Sequence, residues 1–163
     1  LKIKMELSRM KIATLCYVKD KKKKKTLMIH RVKKNNDFHE GKWNGLGGKF
    51  EIGESPEECV IREVKEESGL VITTPKMKGF ITFPNFDGTN DWHVFLFIAE
   101  NFTNELIDSS EGNLKWIDDG ELLNLNLWDG DKIFLNWMEQ EKFFSAKFNY
   151  LDGKLIDYIV NFY

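Results

Sequence analysis

Three glutamates in the middle of the chain have the spacing of a metal-binding cluster. Glu63, Glu66 and Glu67 stand at positions i, i+3 and i+4 of a helical segment, so their carboxylates share one helix face. Three like charges on one face repel one another, and a solvated helix surface is the plainer interpretation. Hard oxygen ligands at this spacing suit Mg²⁺, which binds few carboxylates and bridges to substrate phosphates. The cluster therefore predicts either a solvated face or a magnesium site.

The helix that carries these acids has sequence signals at both ends. Ser55 is the predicted N-cap, Pro56 the first helical residue, and Glu58 completes a capping box with Ser55. Gly69 follows the last apolar position and is expected to end the helix. Arg62 stands beside the acidic face and can pair with a carboxylate on the neighbouring turn, which would fix its rotamer.

The rest of the chain has mostly the alternating pattern of strands. The pattern predicts a hairpin over residues 11–18 and 26–31, followed by strands over 77–83, 93–100 and 114–117. A second amphipathic helix is predicted over residues 131–142, and a last hairpin over 143–160. Residues 33–48 are predicted to be a loop, and Asp152-Gly153 the last turn. Strands outnumber helices, which predicts one α/β domain over residues 11–163. Residues 1–10 are expected to be an N-terminal extension or start region.

The composition gives no reason to expect several classes of partner. A chain of 163 residues suits one domain, and its net charge of −2 gives no electrostatic reason to expect nucleic acid or a membrane as partner. The five lysines at 21–25 are expected to form a solvated hairpin loop. Cys16 and Cys59 have neither metal nor redox spacing and are predicted to be free buried thiols, which favours a reducing, cytoplasmic location. No apolar run approaches the roughly 20 residues of a membrane-spanning helix, and the sequence does not indicate an oligomeric state.

Residues 48–70, GKFEIGESPEECVIREVKEESGL, resemble the Nudix box of the Nudix hydrolases. That motif reads Gly, five residues, Glu, seven residues, Arg-Glu, an aliphatic residue, any residue, Glu-Glu, any residue, Gly and an aliphatic residue. The chain matches at every fixed position, namely Gly48, Glu54, Arg62, Glu63, Val64, Glu66, Glu67, Gly69 and Leu70. The resemblance implies a Nudix α/β/α sandwich with a mixed β-sheet and a catalytic loop-helix-loop. It also implies an enzyme that cuts a phosphoanhydride bond in a nucleoside diphosphate derivative.

The resemblance also implies roles for residues of the box. It implies that Glu66 and Glu67 are metal ligands and that Glu63 is a ligand or the general base. The backbone carbonyl of Gly48 is expected to be a further ligand. Arg62 joins the catalytic set, whereas Glu54 is expected to orient the box rather than to bind metal. The implied cofactor is Mg²⁺, two or three ions, for which Mn²⁺ can substitute.

The resemblance extends over about residues 11–160 to the MutT-like 8-oxo-dGTP diphosphatases. In that group the Asn of a Trp-Asn-Gly run lines the base pocket, which maps onto Asn44; the alternative is that Asn44 only shapes a glycine-rich turn. The animal-type enzyme has a Trp-x-Asp-Asp pattern whose ring stacks on the purine and whose acids bond its edge. Trp128 and Asp131 match this pattern, and Gly130 replaces the first acid. Trp128 could instead be a core residue, and Asp131 a helix N-cap.

Four further matches are weaker. Phe38 and Phe83 correspond to aromatic pocket positions, but core packing explains them equally well. Arg31, near the end of a strand facing the box, could bind phosphate. Glu111, five residues before Trp116, corresponds to a loop glutamate near the metals and is either a ligand or base, or a plain surface acid.

The resemblance implies a hydrolase that converts oxidised purine nucleoside triphosphates to monophosphate and pyrophosphate, with a role in nucleotide-pool sanitation and DNA repair. Its partner is then a small nucleotide substrate. One alternative keeps the fold and changes the substrate to ADP-ribose, a dinucleoside polyphosphate or an RNA 5′ end. Another is a nucleotide-sensing module without catalysis, although such a module would be expected to lose acids that this chain retains.

Overall fold

The computed structural model describes residues 9–163, so most of the predicted N-terminal extension lies outside the described residues. In chain order the elements are β1 (Met10–Asp20), β2 (Lys25–His30), β3 (Trp43–Asn44), α1 (Pro56–Ser68), β4 (Val71–Thr73), β5 (Lys76–Phe83), β6 (Asp91–Ala99), β7 (Asn101–Thr103), β8 (Asn113–Asp118), a 3₁₀ helix (Asp119–Asn124), α2 (Asp129–Met138), β9 (Phe144–Leu151) and β10 (Lys154–Phe162). Each predicted strand and helix is present, with shifted ends.

Within the described part of the chain, eight strands form one mixed sheet. Its order is β10-β9-β5-β6-β1-β2-β3, and β8 pairs with β2. The pairs β1–β6 and β5–β9 are parallel, and the other pairs are antiparallel. Strands β4 and β7 form a separate two-stranded sheet. The predicted mixed sheet is confirmed.

Side-chain alternation along the central strands gives the sheet two buried faces. On β1, Cys16 and Val18 belong to the core beneath α1, which contributes Val64. Tyr17, between them, belongs to the opposite core, to which α2 contributes Phe134. A helix therefore covers each face of the sheet, which is the predicted α/β/α arrangement.

Helix α1 has the ends that its sequence predicts. The Ser55 hydroxyl accepts a bond from the Glu58 N–H (3.1 Å), and the Glu58 carboxylate accepts one from the Ser55 N–H (2.7 Å). Gly69 ends the helix at φ 81°, in the left-handed region, and its N–H donates to the carbonyl of Lys65. These two caps fix the helix register, and with it the face on which the glutamates lie.

The predicted bounds of the second helix are wrong at both ends. Helix α2 begins at Asp129 rather than Asp131, and Trp128 is its N-cap residue, so Asp131 is not the N-cap. The helix can begin early because the Tyr150 hydroxyl accepts a bond from the Gly130 N–H (2.6 Å), one of the first-turn donors that lack a helical partner. It ends at Met138, where Lys78 donates to the carbonyl of Gln140 and the chain turns towards β9.

The prediction of a loop over residues 33–48 is wrong in part. Trp43 and Asn44 form β3, which pairs with β2, and the rings of His30 and Trp43 stack with centroids 4.4 Å apart. A strand of two or three residues carries too little alternation to be seen in a sequence.

Cys16 and Cys59 are free and buried, as predicted. None of the helices in residues 9–163 is long and apolar enough to span a membrane.

Candidate active site

A single cleft of about 680 Å³ brings together nearly all of the predicted site residues. Those that line it are Arg31, Phe38, Asn44, Gly48, Glu63, Glu66, Glu67, Phe83, Glu111, Trp128 and Asp131. Arg62 is not among the lining residues and contacts the acids of α1 instead. We call the part around Gly48, Glu63, Glu66, Glu67 and Glu111 the acidic part, and the part around Phe38, Phe83, Phe86, Trp128 and Tyr150 the aromatic part.

Arg62 organises the acidic part. Its guanidinium makes two hydrogen bonds to the carboxylate of Glu54 and contacts Glu63 (2.8 Å) and Glu66 (3.1 Å). The hydrogen bonds from Arg62 lower the pKa of Glu54 to about 2. Glu54 thus anchors the arginine rather than lining the cleft, which fits the expectation that it orients the box.

Glu67 is the most enclosed of the three glutamates. It is 7% exposed, and its carboxylate accepts a bond from the N–H of Gly47 (3.0 Å). Burial raises the pKa of Glu67 to about 8. A Cβ at position 47 would overlap the carbonyl oxygen of Thr14, so the loop can approach β1 this closely only with glycine there.

The donor set of the acidic part fits a divalent cation. Glu63, Glu66 and Glu67 are hard oxygen ligands within one turn of helix, and burial of Glu67 makes its charged form depend on a nearby positive charge. A Cβ at Gly48 would overlap the carboxylate of Glu63, so glycine leaves room for that side chain beside the backbone. In the present arrangement Arg62 engages Glu63 and Glu66, and no three acidic, His or Cys side chains of residues 9–163 converge on one metal position.

Arg31 and Glu111 line the cleft but contact each other and neighbouring charges. Arg31 donates from Nε to Asp37 (2.8 Å), and its Nη2 lies 3.4 Å from the Glu111 carboxylate. Glu111 also accepts a bond from Lys34 (2.7 Å). Arg31 therefore supports the loop that carries Asp37, besides being placed where a phosphate could reach it.

The aromatic part contains residues that sequence reasoning missed. Phe38 stacks on Trp128, with centroids 5.3 Å apart and 19° between the planes. Phe86 contacts Trp128 edge-on at 4.9 Å and Tyr150 at 5.0 Å. Phe83 lies 5.3 Å from Phe86. Phe86 and Tyr150 gave no motif signal, because only the packing of their loop and strand brings them to the cleft.

Two polar side chains at the cleft, Asn44 and Asp131, are removed from solvent in different ways. The Nδ2 atom of Asn44 is buried and has no hydrogen-bond partner among the described residues. Asp131 is 6% exposed, and burial raises the pKa of its carboxyl to about 8, with the Lys42 charge acting in the opposite direction. At neutral pH Asp131 is therefore mainly protonated, and in that form it offers one donor and one acceptor.

His39, to which the sequence gave no role, contacts the predicted stacking residue. The indole N–H of Trp128 donates to Nδ1 of His39 over 2.9 Å. Burial and the charge of Arg31 lower the pKa of His39 to about 4, so the imidazole is neutral at pH 7 and can accept this bond. The two residues are 89 positions apart, and no spacing rule could have joined them.

This arrangement of box, caps and cleft agrees with the comparison to known families, because the profile of the NUDIX domain matches residues 9–138. The chain belongs to the Nudix family. Members of this family are hydrolases that act on pyrophosphate bonds of small nucleotide substrates, and they generally use divalent metal ions. The fold supplies the scaffold, and the substrate has to be argued from the residues of the cleft.

Several relatives are similar to this Nudix hydrolase over most of its length. An uncharacterized Nudix hydrolase of Bacillus subtilis is 40% identical over 102 residues, which cover 60% of this chain and 65% of that protein, just under two thirds. An oxidized purine nucleoside triphosphate hydrolase of Danio rerio is 35% identical over 72% of this chain and 75% of its own length. An ADP-ribose pyrophosphatase of Methanocaldococcus jannaschii is 34% identical over 72% of this chain and 68% of its own.

The fold is also that of solved MutT structures. The crystal structure of a Mutator MutT protein from Bacillus halodurans superposes with a TM-score of 0.80 at 32% identity. The match covers 93% of this chain and 97% of that one. The predicted MutT-like Nudix fold is therefore confirmed.

Proposed function

We propose that this Nudix hydrolase converts oxidised purine nucleoside triphosphates of the 8-oxo-dGTP type to monophosphate and pyrophosphate, with Mg²⁺ as cofactor. The observation that carries the proposal is the cleft itself. It joins the glutamates of the Nudix box to an aromatic part that also holds Asn44 and the buried carboxyl of Asp131. The Nδ2 atom of Asn44 has no hydrogen-bond partner among residues 9–163. The cellular role would be sanitation of the nucleotide pool.

The aromatic part suits a purine. Aromatic rings stack on a planar base, and Phe38, Phe83 and Phe86 all line this part of the cleft. The amide of Asn44 offers two donors and one acceptor, and protonated Asp131 offers one of each. In 8-oxo-dGTP, N7 carries a hydrogen and C8 a carbonyl, whereas N7 of dGTP is an acceptor. A site built to hydrogen-bond the N7 and C8 edge of the damaged base disfavours the undamaged base, because buried groups of the protein are then left without partners.

The acidic part suits the triphosphate. Glu63, Glu66 and Glu67 would hold the cations, Arg62 would position the first two carboxylates, and Arg31 lies at the cleft where a phosphate oxygen can reach it. When bound, divalent ions polarise phosphoryl oxygens and lower the pKa of the attacking water. The glutamate that accepts the proton of that water is one of those lining the cleft.

A panel of nucleotides tests the proposal. We would measure kcat/KM with Mg²⁺ for 8-oxo-dGTP, dGTP, ADP-ribose, a dinucleoside polyphosphate and a 5′-triphosphate RNA, and identify the products by mass. We expect 8-oxo-dGTP to be preferred over dGTP by about 10-fold or more, which corresponds to about 1.4 kcal/mol. Activity should disappear in EDTA and return with Mg²⁺ or Mn²⁺. Full activity in chelator would contradict the metal-dependent mechanism.

ADP-ribose is the second candidate substrate, and the similarity to an archaeal ADP-ribose pyrophosphatase favours it. The same panel separates the two. A higher kcat/KM for ADP-ribose than for 8-oxo-dGTP would retain the Nudix assignment and reject the sanitising function. A sensing module without catalysis is disfavoured, since every acid of the box is present and lies at the cleft or beside it.

A further inference from the structure

Position 130, in the first turn of α2, has no room for a side chain in this protein. A Cβ at Gly130 would lie 2.7 Å from the Tyr150 hydroxyl oxygen and 2.9 Å from a ring carbon of Phe148. Phe148 is fully buried in the core beneath α2, so it cannot move aside easily. The absence of an acid at position 130 is therefore coupled to the presence of a tyrosine at position 150.

The Tyr150 hydroxyl occupies the space beside Gly130 and keeps a free donor. Its oxygen accepts a hydrogen bond from the Gly130 N–H over 2.6 Å. A phenol has one hydrogen to donate in addition to its lone pairs, and the hydrogen bond that the structure shows at this hydroxyl is one that it accepts. Tyr150 lines the cleft, with its ring 5.9 Å from Trp128 and 5.0 Å from Phe86.

The Tyr150 hydroxyl remains protonated at neutral pH. Burial raises the pKa of Tyr150 well above its ordinary value, and the hydrogen bond from Gly130 opposes this. The carboxyl groups of Asp131 and Asp129 add to the increase when they are ionised. The group is therefore a permanent donor, whereas an aspartate at position 130 would be an acceptor when ionised. A donor at this place in the cleft matches a carbonyl oxygen on the base.

We propose that the Tyr150 hydroxyl reads the bound base by donating a hydrogen bond to one of its carbonyl oxygens, in place of the acid that Gly130 lacks. The inference rests on the proposed function, because it assumes a purine in the aromatic part of the cleft. The simpler role for Tyr150 is to cap helix α2 through Gly130. That role predicts a loss of stability without any dependence on the base.

The test compares Tyr150→Phe with the wild-type enzyme on three triphosphates. They are 8-oxo-dGTP, dGTP and the deoxynucleoside triphosphate of 2-aminopurine, which has no carbonyl on its ring. Removing one neutral hydrogen bond costs about 0.5–1.5 kcal/mol, so kcat/KM should fall about 2- to 13-fold on the base that is read. A fall on both guanine substrates assigns the contact to the carbonyl at C6, and a fall on 8-oxo-dGTP alone assigns it to that at C8. The 2-aminopurine substrate should be little affected.

A control variant and a second comparison accompany this test. Tyr163→Phe removes an exposed hydroxyl outside the cleft and should leave all three values unchanged. If Tyr150→Phe proves too unstable to assay, the wild-type enzyme supplies the second comparison: its kcat/KM should be lower for the 2-aminopurine substrate, which offers no carbonyl, than for dGTP, and equal values would overturn the inference. Thermal unfolding of Tyr150→Phe separately measures how much the hydrogen bond between Gly130 and Tyr150 contributes to stability.

The outcomes separate this inference from the proposed function. If the wild-type enzyme prefers 8-oxo-dGTP but Tyr150→Phe loses the same factor on all three substrates, the inference is overturned and the function stands. If the wild-type enzyme prefers ADP-ribose, the function falls and the inference falls with it. A base-dependent loss supports both.

Discussion

Glu66 and Glu67 are neighbours in the chain but lie in different surroundings. The Glu66 side chain is 57% exposed and contacts Arg62, whereas Glu67 is nearly buried against the backbone of Gly47. Both carboxylates line the cleft, and each would supply negative charge to bound cations.

Glu66→Gln and Glu67→Gln should each lower kcat by at least about 10²-fold, because each removes a charge that helps to hold the metals. Folding should survive, since the substitutions relieve repulsion on one helix face. The matched control is Glu57→Gln, an exposed residue in the first turn of the same helix, which should keep wild-type turnover. Steady-state kinetics at saturating Mg²⁺ give the answer, and near-normal kcat in either variant would remove that residue from the metal site.

His39 also acts at the scale of single residues, through Trp128. Its Nδ1 accepts the indole N–H, so the imidazole should hold the orientation of the ring within the aromatic part of the cleft. His39→Leu should raise KM for 8-oxo-dGTP by about 3- to 10-fold, the value of one hydrogen bond, with a smaller change in kcat. His39→Gln, which retains an acceptor, should recover part of the loss.

A double-mutant cycle with Trp128→Phe tests this contact. Phenylalanine has no N–H, so His39→Leu should have little further effect in that background. Additive losses in the double variant would show that His39 acts independently of Trp128.

At the scale of elements, one loop carries Phe38 and His39 to the cleft. Its ends are fixed by backbone bonds between Arg31 and residues 41 and 42, and its middle by the part-buried pair of Arg31 with Asp37. The loop forms one side of the aromatic part, and Phe38 on its tip contacts Phe86 from the opposite loop at 5.0 Å.

Asp37→Asn should loosen this loop and raise KM for the nucleotide more than it lowers kcat, because the acidic part is left intact. The Asp37 side chain is 12% exposed, so its pair with Arg31 is screened less than a surface ion pair. Asp108→Asn provides the comparison, since Asp108 pairs with Lys33 but is 94% exposed and such pairs contribute little. Substrate-saturation curves measure kcat and KM. Equal effects of the two substitutions would contradict the role of the Asp37–Arg31 pair in holding this loop.

At the scale of the whole molecule, Asp131 links stability to pH. Its folded pKa of about 8 lies above the ordinary 3.8, so between these values the unfolded chain loses the proton and the folded protein keeps it. Ionisation then favours the unfolded state, and this contribution lowers stability progressively as pH rises from about 4 to about 8.

Asp131→Asn cannot ionise, so its Tm relative to the wild-type protein should increase across this pH window. Thermal unfolding at pH 4.5, 6 and 7.5 without nucleotide measures the difference. Asp118→Asn, at an exposed aspartate of β8, is the control. A difference in Tm that stays constant from pH 4.5 to 7.5 would contradict the raised pKa.

The sequence by itself determined the features that depend on neighbours within a turn or two. The caps of α1 at Ser55 and Gly69 and the common face of the three glutamates follow from local spacing, and the structure has them where the spacing predicts. The box motif was enough to predict the family and the layered fold, because its glycines and acids are read along a continuous segment.

Only the tertiary structure decided how the aromatic part is built. Tyr150 reaches Gly130 from 20 positions away, and His39 reaches Trp128 from 89, because β9 and the loop after β2 both meet the start of α2. The protonation of Asp131 is likewise a property of its burial and not of its residue type. Local spacing determines which side chains share a helix face, whereas contacts between distant segments depend on how the sheet and loops pack.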